Sequence, residues 1–179
     1  MIPKATVKLW SALPTPLTDD YKVDESAVVR LINDAIGSGM SGVFLAGTCG
    51  EGPWLQDAER SRLIETAAAT AAGRLSIAAQ VSDNSVPRIL DNIKLVTRAG
   101  ADVAIVAAPT TFMNPTPERV VALFRETAAN SNLPVGIYDL GKHRAIMIPE
   151  EYLLETYMLP NVSLVKDSSG SPARRAIAL

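Results

Sequence analysis

Six short apolar runs recur along the chain at intervals of about 30 residues, each separated from the next by a longer amphipathic stretch. They are Leu9–Leu13, Gly42–Ala46, Ser76–Val81, Asp102–Ala107, Pro134–Tyr138 and Val162–Lys166. Within the runs the apolar residues are continuous rather than alternating, which marks strands covered on both faces, as in a parallel sheet. The stretches between them carry apolar residues at helical spacing. Asp24 can cap a helix through Gly37, with Val28, Leu31, Ile32, Ala35 and Ile36 on one stripe. Asp57 opens an Ala-rich helix through Ala72, and Gly73 is its stop signal. Ser85 starts a third helix, with Ile89, Ile93 and Val96 as its stripe and Gly100 at its end. Thr116-Pro117-Glu118 reads as a cap, a first-turn Pro and an acidic first turn, and Pro149-Glu150-Glu151 opens a fifth helix through about Tyr157.

Strand followed by helix, six times over, makes successive right-handed βα units. Two layouts fit, a doubly wound open sheet and a (β/α)8 barrel. No Gly-x-Gly-x-x-Gly follows the first run, and the pattern does not switch along the chain. The expected fold class is therefore α/β, a (β/α)8 TIM barrel of which this chain covers about the first six βα units. A complete barrel runs to about 250 residues. With 179 residues, the expectation is one barrel domain over 1–179, truncated at its C-terminus, where Pro172–Leu179 reads as an opening helix.

Composition removes several functions. Seventeen Lys and Arg against 19 Asp and Glu leave no basic excess, so nucleic acid is not an expected partner. One Cys excludes an internal disulfide and a Cys-rich zinc site, and one His excludes a multi-histidine metal site within a single chain. No run approaches the roughly 18 apolar residues of a membrane span. Met1–Lys8 lacks the apolar core and cleavage site of a secretory signal, so a cytoplasmic location is expected.

In a barrel, chemistry sits where strands end and βα loops begin. Lys166 ends the sixth run and shares a face with Val162 and Leu164 by period two, a face expected to point inward. Partial desolvation there disfavours the charged amine, and a neutral amine is a nucleophile toward ketones. The bland alternative is a snorkelling lysine paired with Asp167. Tyr138 ends the fifth run on the face of Gly136, either as a proton relay beside the amine or as a core tyrosine. Gly47-Thr48-Cys49-Gly50 after the second run is either a backbone nest for a carboxylate or a tight strand exit. Cys49 reads either as a catalytic thiol or as a small buried residue. Gly141-Lys142-His143-Arg144 is a basic cluster, facing an anionic substrate or solvent.

Taken together, these residues resemble the dihydrodipicolinate synthase / N-acetylneuraminate lyase family. The resemblance runs from Leu13-Pro14-Thr15-Pro16-Leu17 and Val23-Asp24 through Gly47-Thr48-Cys49-Gly50-Glu51-Gly52 and Ala99-Gly100-Ala101-Asp102. It continues through Leu133–Tyr138 to Val165-Lys166-Asp167-Ser168-Ser169-Gly170. It implies a (β/α)8 barrel with extra C-terminal helices in a homo-oligomer, a tetramer or dimer. It implies a Schiff base between Lys166 and pyruvate or another 2-oxo acid, with Tyr138 as relay and no metal or organic cofactor. Thr48 and Cys49, with Gly47, are implied to bind the carboxylate largely through backbone N–H groups, with Arg144 and Thr111 as further substrate contacts.

Three departures from the family pattern bear on substrate. Thr110-Thr111 stand where a Tyr pair is usual, Cys49 replaces a Thr, and Asp139–Arg144 replaces Asn-Val-Pro-x-Arg with the Arg one place late. The expected function is a Schiff-base-forming lyase or aldolase acting on pyruvate or a pyruvate-derived 2-oxo acid. The rivals are dihydrodipicolinate synthesis from pyruvate and aspartate semialdehyde, and a non-catalytic 2-oxo acid binder or inactive fragment.

Overall fold

The computed structural model describes residues 8–111, 114–143 and 145–174. The chain divides into two compact units. One holds the residues up to Gln80 together with Arg98–Asp102, and the other holds Val81–Thr97 and the residues from Val103 onward.

The first unit contains β1 (Trp10–Ala12), α1 (Glu25–Gly37), β2 (Gly42–Leu45), α2 (Asp57–Ala71) and β3 (Ser76–Gln80). The strands run parallel in sequential order, with Ala12 opposite Phe44 and Phe44 opposite Ala78. The α1 cap is as expected: the Asp24 carboxylate accepts from Ala27 N at 3.0 Å, and Val28, Ile32 and Ala35 turn inward. At the end of α2 the left-handed cap falls on Ala72 (φ 46°) as well as on Gly73, one residue before the expected stop. Asp102 extends the sheet with a side chain: its carboxylate accepts from Ile77 N at 2.8 Å while its own N–H donates to Ile77 O. Glu59, buried on α2, accepts from Val23 N at 2.8 Å and pairs with Lys22. Glu59 thereby pins the antiparallel Leu17–Val23 bridge ahead of α1.

The second unit contains most of α3 (Val86–Arg98), β4 (Val103–Ala107), α4 (Pro117–Asn130), β5 (Val135–Asp139), α5 (Leu153–Tyr157) and β6 (Val162–Asp167). Its strands are again parallel and sequential. Ile89, Ile93 and Val96 of α3 and Val120, Val121, Leu123, Phe124 and Ala128 of α4 are buried, the stripes read from the sequence. All five residues of β5 are buried. The fifth helix is shorter than expected: Glu150–Tyr152 form a 3-10 turn, and α5 proper begins only at Leu153. Asn161 (φ 71°) joins the start of β6 to the end of α4, its amide donating to the carbonyls of Ala128, Ser131 and Leu133 at 3.2, 3.3 and 2.9 Å.

Between β5 and β6 the register shifts. Val135 pairs with Val162, but Gly136 pairs with Leu164, so Ser163 is an extra residue in β6. Val162 thus stands opposite Val135, while Leu164 and Lys166 stay in register with Gly136 and Tyr138.

Candidate active site

Tyr138 and Lys166 face each other across the ends of β5 and β6. The Lys166 Nζ lies 4.2 Å from the centre of the Tyr138 ring. An ammonium over an aromatic face is attracted by the ring's quadrupole, a contact worth about 0.5–2 kcal/mol depending on its desolvation. Tyr138 is buried and Lys166 half-buried. One layer earlier, Gly136 pairs with Ile105 on one side and Leu164 on the other. A Cβ at 136 would stand 2.3 Å from Ile105 Cδ1 and 3.0 Å from Leu164 Cδ1. The two side chains therefore occupy the space glycine leaves.

Behind Tyr138, on the other face of β5, sits Asp139, only 2% exposed. Its Oδ1 accepts from Gly141 N (2.9 Å) and Arg174 Nη2 (2.9 Å), and its Oδ2 accepts from Tyr157 Oη (2.7 Å) and Arg174 Nε (2.7 Å). Burial pushes this carboxyl up. The hydrogen bonds from Arg174, Tyr157 and Gly141, with the guanidinium charge, outweigh it and hold the group below the ordinary carboxylate range. The Tyr157 phenol is pushed far up, by burial first and then by the hydrogen bond to Asp139. Arg174, 3% exposed, donates also to Ile148 O at 2.8 Å. Sequence reading passed over Arg174 and Tyr157, since their partner lies 35 and 18 positions away. The available signal was Asp139 itself, a carboxylate ending an apolar strand and alternating away from Tyr138, which requires a cation.

In the first unit, Gly47–Gly52 form a closed turn after β2. Gly50 N and Gly52 N donate to Gly47 O at 3.1 and 3.2 Å, and Glu51 N donates to Thr48 O at 3.3 Å. Thr15 Oγ1 clamps the turn through Gly50 O at 2.6 Å. A Cβ on Gly52 would stand 1.7 Å from Ala46 O, so only glycine fits this close approach. The turn's own bonds leave out the N–H groups of Thr48 and Cys49, which donate to no acceptor among the described residues. Both residues are exposed. Cys49 is thus a free surface thiol and not the small buried residue of one sequence reading, because the turn carries it outward at its tip.

The remaining candidates lie elsewhere. Thr111 lines a groove of about 700 Å³ with Asn84, Val86, Arg119, Leu123 and Glu126, a lining that does not include Tyr138 or Lys166. Lys142 and His143 are exposed on a 3-10 turn, Gly141–His143, and Arg144 lies outside the described residues. Among the described residues no group of three or more His, Cys, Asp and Glu is placed to hold a metal ion. No helix among them is long and apolar enough to cross a membrane.

Six parallel strands in sequential order, the first five each followed by a helix, with a lysine and a tyrosine at adjacent C-terminal strand ends, define the (β/α)8 barrel class, of which six strands are present here. The chain belongs to the dihydrodipicolinate synthetase family, whose model matches residues 5–177. It is 31% identical over 171 residues to 4-hydroxy-tetrahydrodipicolinate synthase of Anaplasma marginale, covering 96% of this chain and 56% of that protein. It is 32% identical over 168 residues to the Rhizobium meliloti synthase, covering 93% and 57%. The crystal structure of dihydrodipicolinate synthase from Aquifex aeolicus superposes with a TM-score of 0.84 at 26% identity, over 94% of this chain and 57% of that one. The chain thus spans a little over half the length of the curated relatives it matches.

Proposed function

We propose that Lys166 condenses with pyruvate or a pyruvate-derived 2-oxo acid, and that the chain serves a lyase or aldolase that makes or breaks a C–C bond beside that imine. The observation that carries this reading is the Lys166 Nζ lying 4.2 Å from the Tyr138 ring centre at paired strand ends. The amine attacks the ketone carbon, water leaves, and the iminium draws electrons from the adjacent carbon. That carbon then loses a proton to form an enamine, which attacks an aldehyde, or the same steps run in reverse. In this reading Tyr138 moves protons at the carbinol oxygen during imine formation. The N–H groups of Thr48 and Cys49, with Gly47, take the 2-oxo acid carboxylate. Thr111 and Arg144 are further substrate contacts in this reading. The reaction uses no cofactor beyond the lysine imine. The working protein is a homo-oligomeric, cytoplasmic enzyme, a location in which an exposed thiol such as Cys49 stays reduced.

A second reading, condensation of pyruvate with aspartate semialdehyde, is favoured by the names of the Anaplasma and Rhizobium relatives. Borohydride reduction in the presence of pyruvate, followed by peptide mass spectrometry, tests the shared chemistry. A reduced adduct on Lys166 that disappears in Lys166→Ala is the expected result, and no adduct on Lys166 overturns both readings. Turnover of aspartate semialdehyde then separates them.

A further inference from the structure

We infer that the buried Asp139–Arg174 pair is the positioning device of the site, holding the two strand ends that carry Tyr138 and Lys166 at one fixed separation. The inference rests on the lysine-imine reading for its kinetic test but on geometry for its argument. Tyr138 and Asp139 are consecutive on β5 and so point to opposite faces. The face that carries Tyr138 meets Lys166, and the face that carries Asp139 meets Arg174.

The chain leaving β5, the chain leaving β6, α5 and the loop between β5 and α5 are all tied to Asp139. Its carboxylate takes Gly141 N and so fixes the chain leaving β5. Its main-chain O takes Ser168 N at 2.8 Å, locking β6 two residues beyond Lys166. Tyr157 brings in α5, and Arg174 brings in the segment after β6 and, through Ile148 O, the loop between β5 and α5. Asp167, paired with Asp139 across the strands, closes the turn after Lys166 by accepting from Ser169 N at 2.8 Å. Ser169 in turn packs where a Cβ of Gly141 would lie, 2.6 Å from its own Cβ.

Such a pair is a poor device for stability alone. Taking both charges out of water offsets most of their attraction, and an apolar pair of similar volume often does as well. What it supplies is direction: a bidentate fork fixes both angle and distance. Direction matters where a misplacement of about 1 Å can reduce a rate by about a hundredfold. Arg174 and Asp139 are therefore positioning residues, and neither touches the reacting atoms.

The test uses the double variant Asp139→Asn/Arg174→Met, which removes both charges and leaves neither buried alone. The expected result is a melting temperature near that of the parent chain and a half-saturating pyruvate concentration within about threefold. The maximal rate of borohydride trapping at Lys166 falls about tenfold or more. A folded double variant that traps at the parent rate overturns the inference. So does a rate that falls only in proportion to the folded fraction. If the double variant does not fold, Tyr157→Phe removes one hydrogen bond from the carboxylate and is expected to slow trapping about threefold at unchanged melting and half-saturation. An unchanged rate there also counts against the inference. A readout without pyruvate keeps the two readings apart: the acylation rate of Lys166 relative to exposed Lys94, by peptide mass spectrometry. A change of about fivefold in that ratio in the folded variant, with no pyruvate adduct in the parent chain, sinks the imine reading and leaves the positioning role standing. An unchanged ratio, with adduct formed normally, does the reverse.

Discussion

The Lys166 Nζ lies over the face of the Tyr138 ring, 4.2 Å from its centre, and the two residues are direct cross-strand partners. The ring and the hydroxyl of this tyrosine can therefore be separated by substitution. Tyr138→Phe keeps the aromatic face beneath the amine and removes only the O–H. If the hydroxyl relays protons, exchange of the pyruvate methyl protons with deuterium, followed by NMR, slows by about 10²–10³-fold while half-saturation by pyruvate stays within about threefold. Equal loss in both would mean that Tyr138 only packs.

Gly136 leaves room for side chains rather than for an unusual backbone. Gly136→Ala places a methyl 2.3 Å from Ile105 Cδ1 and is expected to lower stability by about 1–3 kcal/mol in urea unfolding. Adding Ile105→Val removes that Cδ1 and is expected to recover at least about half of the loss, a coupling of neighbours read from the double-mutant cycle.

Gly52 differs, because the obstacle is the Ala46 carbonyl oxygen, 1.7 Å from where a Cβ would go. Backbone cannot rotate aside as a side-chain tip can. Gly52→Ala is expected to open the Gly47–Gly52 turn, and hydrogen exchange at Gly50 and Gly52 should accelerate by about tenfold or more.

Cys49 reports on the same turn in the unaltered chain. As an exposed thiol it is expected to react readily with a small maleimide. If Thr48 and Cys49 hold the 2-oxo acid carboxylate, pyruvate at about ten times its half-saturating concentration slows labelling about tenfold, as mass action requires. Labelling indifferent to pyruvate places the carboxylate elsewhere.

The Asp139 carboxyl is held below its ordinary range in the folded chain, burial notwithstanding, by Arg174, Tyr157 and Gly141. A depressed carboxylate stabilises the fold above its unfolded value of about 3.9, and that contribution is lost as pH falls through the folded value. The urea midpoint of the parent chain should therefore exceed that of Asp139→Asn by its full margin above about pH 5, and the margin should shrink steadily below about pH 4. A margin independent of pH would show that the carboxylate's charge contributes nothing.

Much of this was legible in the sequence because it is local. Asp24 and Thr116 announced their helices through their own side chains, and the apolar runs gave all six strands to within a residue or two. The Lys166–Tyr138 contact followed from reading the last residue of each apolar run, which the structure places one residue before the end of β5 and of β6. What stayed hidden depends on distant or irregular partners. The Ser163 register shift moves Val162 out of step, and alternation counted along one strand cannot see it. Arg174 looks like any surface arginine until the fold carries it 35 positions back to Asp139. Cys49 was open to a buried reading because residue type alone says nothing of a turn tip.

Asn161 and Asp102 each use a side chain to tie elements at the entry side of the strands, whereas Tyr138 and Lys166 stand near the exit ends of theirs. The entry side is thus fastened by residues other than those that fasten the exit ends. Substitutions at the exit ends of the strands can therefore accumulate without loosening these entry-side bolts.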